Sequence, residues 1–147
     1  MTQLLNDDII KQIREVFDGL KNPVHIMFFG SQHNCQYCED TRQLVEEVAA
    51  LSDLMSIEFY DMEADSDLAA RYNVDKAPGV VIAAKEGDQV TDFGVRLAGI
   101  PSGHEFTSLI QDILLVSNRD SGLNLQTREF LKGLDKPVLL QVFVTPT

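Results

Sequence analysis

Tryptophan is absent from this 147-residue chain, and cysteine and proline are scarce, with two Cys and five Pro. Two cysteines cannot build the multi-bridge framework that staples small secreted domains. So little proline also excludes collagen-like and proline-rich extended architectures. Basic residues are few: 12 Lys+Arg stand against 23 Asp+Glu, for a formal charge of −11. Without a basic stripe or interleaved aromatics, no nucleic-acid partner is expected. No apolar run approaches the ~18–20 residues of a membrane span, so no membrane partner is expected either. The opening MTQLLNDDIIKQIREVF has no basic start, and its apolar residues are helically spaced rather than contiguous, unlike a signal peptide. The expected location is the cytoplasm.

What is present is a core. Hydrophobic residues make up 44% and charged residues 24%, a composition for one soluble globular unit. Residues 7–20 place Ile9, Ile10, Ile13, Val16, Phe17 and Leu20 on one helical face. VHIMFF (24–29) is continuous and apolar, as a strand buried on both faces would be. The amphipathic helix that follows is expected from near Cys35 to Leu51, and SIEFYDME (56–63) is a second strand. A short helix through DLAARY, capped by Asp65 or Ser66, comes next. Then comes a hairpin of GVVIAA and FGVRLAG with its turn in KEGDQ. Ser102-Gly-His-Glu105 reads as a capping box opening a last helix. A right-handed βαβ crossover followed by a hairpin gives an α/β fold, a four-stranded mixed sheet with flanking helices. This unit spans residues 1–118.

Residues 119–147 do not belong to that plan. QTREFLKGLDKPVLLQVF (126–143) laid on QIREVFDGLKNPVHIMFF (12–29) matches at eight of eighteen positions without a gap. Such a repeat implies a second copy of the same supersecondary start. The tail is therefore expected to be a linker plus the first helix and strand of a truncated second unit, since Cys35 would fall beyond Thr147 in this register. The strand at 138–144 is expected to add to a sheet edge or to pair two chains into a homodimer.

Both cysteines lie in GSQHNCQYCEDTRQLVEE (30–47), two residues apart, between a strand and a helix. Thiol–disulfide exchange requires a thiolate, and a helix start favours an anion. A second thiol one turn along closes the disulfide and releases a trapped substrate. Cys35 is thus assigned as nucleophile and Cys38 as resolving thiol. Half of a zinc site with His25, His33 or His104, an iron–sulfur ligand pair between two chains, and two inert thiols remain alternatives. In KAPG (76–79), Pro78 cannot donate within a sheet ladder and marks the first residue of a strand, with Ala77 offering its backbone.

The order strand, C-x-x-C helix, strand, helix, X-Pro, hairpin, helix resembles the thioredoxin fold. More narrowly, NCQYC, LVEE, YDMEAD, VDKAPG, GIPSGHEFTSLIQDI and KPVLLQVFVTPT resemble the glutaredoxin-like protein disulfide oxidoreductases, built from tandem thioredoxin-fold units. The resemblance implies a dithiol–disulfide oxidoreductase acting on protein disulfides through Cys35 and Cys38. It implies a cis Pro78 facing them, substrate positioning by Ala77, Pro78 and Tyr37, and electrons from a thioredoxin-reductase-like flavoenzyme. No bound cofactor or metal is implied. A redox-inactive scaffold of the same fold, or a metal-binding C-x-x-C protein, is the rival reading. The first strand lacks the carboxylate of thioredoxins proper, leaving water, or a carboxylate elsewhere such as Asp61 or Glu63, for proton transfer at Cys38, with neither carboxylate ranked. Only Arg71, Lys76 and Arg96 offer charges for glutathione.

Overall fold

The computed structural model describes residues 2–145. Helix α1 (Asp7–Phe17) is capped by the Asn6 side chain, which accepts from the Ile9 N–H at 2.9 Å. Asp7 and Asp8 in its first turn and Arg14 in its last complement the helix dipole. Strand β1 (Val24–Gly30) is buried along its whole length, as its apolar run requires. It lies between β2 (Met55–Asp61), which it pairs in parallel, and β3 (Gly79–Glu86), which it pairs antiparallel. Strand β4 (Gln89–Ala98) completes the order β2-β1-β3-β4 and returns from β3 across a tight turn in which Gly87 has φ +62°. Such a turn suits glycine because other side chains rarely adopt that conformation.

Alternation along β1 sorts its side chains between two layers. Val24, Ile26 and Phe28 join α1, α2 (Cys38–Ala49) and α4 (His104–Asn118) in the larger core. Met27 and Phe29 join Val81 and Ala83 on the other face, under Ala69 of the short α3 (Ser66–Arg71). The sheet is covered on both sides, and both ends of β1 are tied down. At its start, the buried Ser117 hydroxyl accepts from the Lys21 and Asn22 N–H groups and donates to the Asn22 carbonyl. At its end, the Met62 N–H donates to the Gly30 carbonyl at 2.8 Å.

The structure departs from the expected elements in three places. Regular α2 begins at Cys38 with Tyr37 as its cap, so Cys35 precedes the helix. Asn34, at φ 52°, turns the chain there before the helix can start. The capping box also does not form: Gly103 takes the cap position of α4 with φ 61°, and no side chain caps it. Finally, helix α5 (Leu125–Lys132) is present but buries none of its residues, and the expected C-terminal strand is not formed. Residues 138–144 are exposed and unpaired with any described strand. A strand exists only with a ladder partner, and this sheet supplies none to them.

Candidate redox site

Two strand exits and one helix start meet at the site. Gly30 is opposite Asp61 in the parallel β1–β2 register, so the segments leaving these strands run side by side. Cys35 and Cys38 form a disulfide with a Cα–Cα separation of 5.5 Å. The two sulfurs differ in environment. Cys38 is buried and belongs to the larger core, whereas Cys35 is half-buried and packs against that core from outside. Acidic Glu39 and Asp40 occupy the first turn of α2, and Tyr37 is exposed beside the pair.

The Ser31 N–H donates to Cys38 Sγ at 3.4 Å. The Ser31 hydroxyl accepts from the His33 N–H at 3.0 Å and donates to Glu63 Oε1 at 2.7 Å. Glu63 is aimed by a turn of its own: Asp61 Oδ1 accepts from the Glu63 and Ala64 N–H groups, each at 2.9 Å. The Ala64 N–H, foremost, then the Glu63 groups and His33, hold the Asp61 carboxyl below the usual range against a smaller opposing cost of burial. Neither Ser31 nor its tie to Glu63 was legible from a motif. The signal lies in the register, because residues following paired parallel strands emerge as neighbours.

The Ala77–Pro78 bond is cis. Pro78 is buried just ahead of β3, and its carbonyl accepts from the Gly99 N–H at 2.9 Å. Ala77 is half-buried against the same core that Cys35 borders. Gly79 allows the 74–78 loop to lie close: a Cβ there would sit 2.5 Å from Val74 Cγ1 and 2.8 Å from the Lys76 carbonyl oxygen.

The histidines weighed as metal ligands have other surroundings. His25 is buried opposite Ser56, with its Nδ1 2.8 Å from the Ser56 hydroxyl, and His104 opens α4. Among the described residues, no group of three or more His, Cys, Asp or Glu side chains is arranged to hold a metal. Of the cations considered for glutathione, Arg96 is engaged by Asp92 at 2.6 Å and by the Tyr72 carbonyl at 2.6 Å. Lys76 is paired with Asp75 at 3.1 Å. Among the described residues, no helix is long and apolar enough to cross a membrane.

A strand-exit disulfide, a four-stranded mixed sheet and an X-Pro strand start define a class, and comparison with known proteins agrees. The Thioredoxin domain family matches residues 24–111, and the chain belongs to that family. A protein disulfide oxidoreductase from Aeropyrum pernix K1 is similar, at 31% identity and a TM-score of 0.76, over 88% of this chain and 55% of that one. An alkyl hydroperoxide reductase component of Staphylococcus epidermidis is 27% identical over 98% of this chain. The chain spans 25% of that relative's length. The alkylhydroperoxide reductase component AhpF of Enterococcus faecalis shares the fold, with a TM-score of 0.79 at 22% identity, covering 91% of this chain and 62% of that one. The chain is a thioredoxin-fold protein whose C-x-x-C cysteines, Cys35 and Cys38, are joined in a disulfide.

Proposed function

We propose that the protein reduces and oxidises protein disulfides in the cytoplasm, with Cys35 as the attacking and Cys38 as the resolving thiol. The observation that carries this is the unequal burial of the two disulfide-bonded sulfurs, half-buried Cys35 against buried Cys38. In the reducing direction the Cys35 thiolate attacks a substrate sulfur, and one substrate sulfur leaves as a thiol. Cys38 then attacks Cys35, which releases the second thiol and closes the Cys35–Cys38 disulfide; two electrons pass to the substrate. Tyr37, Ala77 and Pro78 position the substrate. A thioredoxin-reductase-like flavoenzyme returns the electrons.

Insulin reduction with dithiothreitol tests the reading. Activity of the intact chain that is lost in Cys35→Ser supports it. Equal activity in both would favour a scaffold role.

Residues 119–147 are proposed to belong to a second unit of the same plan, as the repeat of α1 in α5 and the exposure of α5 suggest. Exposed Val138, Leu140 and Val142 suit pairing with an edge strand of a second copy. Sedimentation of the intact chain against a variant with lysine at these three positions measures this. Only the intact chain should dimerise.

A further inference from the structure

We infer that Glu63, acting through Ser31, is the positioning residue for the resolving cysteine. This rests on the proposed roles of Cys35 and Cys38. The reasoning starts from what Cys38 must do. To attack a Cys35 mixed disulfide it must lose its proton, and it does so buried, where burial disfavours a thiolate. The Ser31 N–H, 3.4 Å from Cys38 Sγ, donates to that sulfur, and a donor strengthens its bond as the acceptor becomes charged. Gly30 and Ser31 lie where β1 gives way to loop, so the aim of this N–H depends on what fixes Ser31.

Its hydroxyl meets two residues, His33 and Glu63. It accepts from the His33 N–H, and its one proton faces both the His33 carbonyl at 3.1 Å and Glu63 Oε1 at 2.7 Å, the shorter contact. The His33 contacts tie Ser31 only to its own loop. The Glu63 bond, spanning 32 residues, ties it to the turn after β2, which Asp61 holds through two backbone bonds. This also ranks the two carboxylates. Asp61 spends Oδ1 on backbone N–H groups and shapes the turn, whereas Glu63 reaches the residue that touches the sulfur.

The test uses the reduced full chain and 5,5′-dithiobis(2-nitrobenzoate) as the oxidant, followed by stopped flow. Cys35 attacks the reagent, breaking its S–S bond, forming a mixed disulfide and releasing one nitrothiolate. Cys38 then attacks Cys35, which releases the second nitrothiolate and closes the protein disulfide. Two protons go to solvent, and the dithiol loses the two electrons the reagent gains. Cys38→Ser isolates the first phase.

Glu63→Ala and Ser31→Ala should slow the second phase about tenfold and leave the first unchanged, the scale of a weakened hydrogen bond to a charged group. Glu63→Gln, whose amide oxygen still accepts from Ser31, should restore the wild-type rate. An unchanged second phase, equal slowing of both phases, or a Gln variant as slow as the Ala variant would overturn the inference. A wild-type chain that consumes two reagent molecules and retains two nitrothiobenzoate adducts by mass, as two independent thiols would, refutes the roles of Cys35 and Cys38 and the inference with them. Glu63 is exposed, so its variants should fold normally; urea midpoints verify this.

Discussion

Gly79→Ala probes the packing that brings the Ala77–Pro78 loop up to the sheet. The added methyl would meet two atoms inside 3.0 Å, Val74 Cγ1 at 2.5 Å and the Lys76 carbonyl oxygen at 2.8 Å. Real Cβ atoms do not tolerate either, so something must move. Val74 is buried in the smaller core and cannot swing away freely, and the carbonyl is backbone. Overpacking in a filled core costs ~1–3 kcal/mol, and two simultaneous contacts place this change in the upper half, about 2–3 kcal/mol. Urea unfolding of the oxidised protein should show the midpoint falling by roughly 1–2 M at unchanged slope. Val74→Ala removes one of the two contacts but not the other. On its own it costs about 2 kcal/mol, and in the double variant about 1 kcal/mol should be recovered as coupling. Because the loop displaced is the one carrying Ala77 and Pro78, insulin reduction should also fall. A Gly79→Ala protein whose midpoint and activity both match wild type would refute the close approach and the positioning role argued from it.

Other consequences are quickly checked. Among the described residues the fully buried Thr41 hydroxyl has no hydrogen-bond partner, so Thr41→Val, of the same shape, should stabilise by about 1 kcal/mol in urea unfolding. Burial, then Lys85, lower the His25 pKa, with Glu58 opposing them. The unfolded chain therefore binds this proton first, and stability should fall as pH drops below ~6.5, toward the lower folded value. Urea midpoints between pH 7.5 and 5 should show that loss, and His25→Gln should flatten it. The phenol of Tyr60 is pushed up to about 12, by burial first and by its hydrogen bond to Glu58 next, so Tyr60→Phe should remove an ionisation near pH 12 from an ultraviolet titration.

Much of this was legible because it depends on local pattern. The run 24–29, apolar but for His25, suits a strand covered on both faces, and it is the second strand in the order of the sheet. The C-x-x-C spacing and its place after that strand located the Cys35–Cys38 disulfide. Reading failed where partners outside the segment decide. Residues 138–144 have strand composition, yet pairing, not composition, makes a strand. Ser102 has capping chemistry, but a left-handed Gly103 took the position. The Ser31–Glu63 contact joins residues 32 apart, and only the register of two parallel strands makes them neighbours.

The inner position of β1 has a consequence for motion. Its amides lie between two neighbours, under helices on both faces, so they should exchange with solvent only when the whole domain opens. The reactive loop begins at the last residue of this strand, while residues 138–144 have no such shelter. The proposed redox chemistry would thus take place at the edge of the slowest-opening segment. Deuterium uptake should separate the two regimes, rapid beyond α5 and slowest along 24–29, whether the pair is oxidised or reduced.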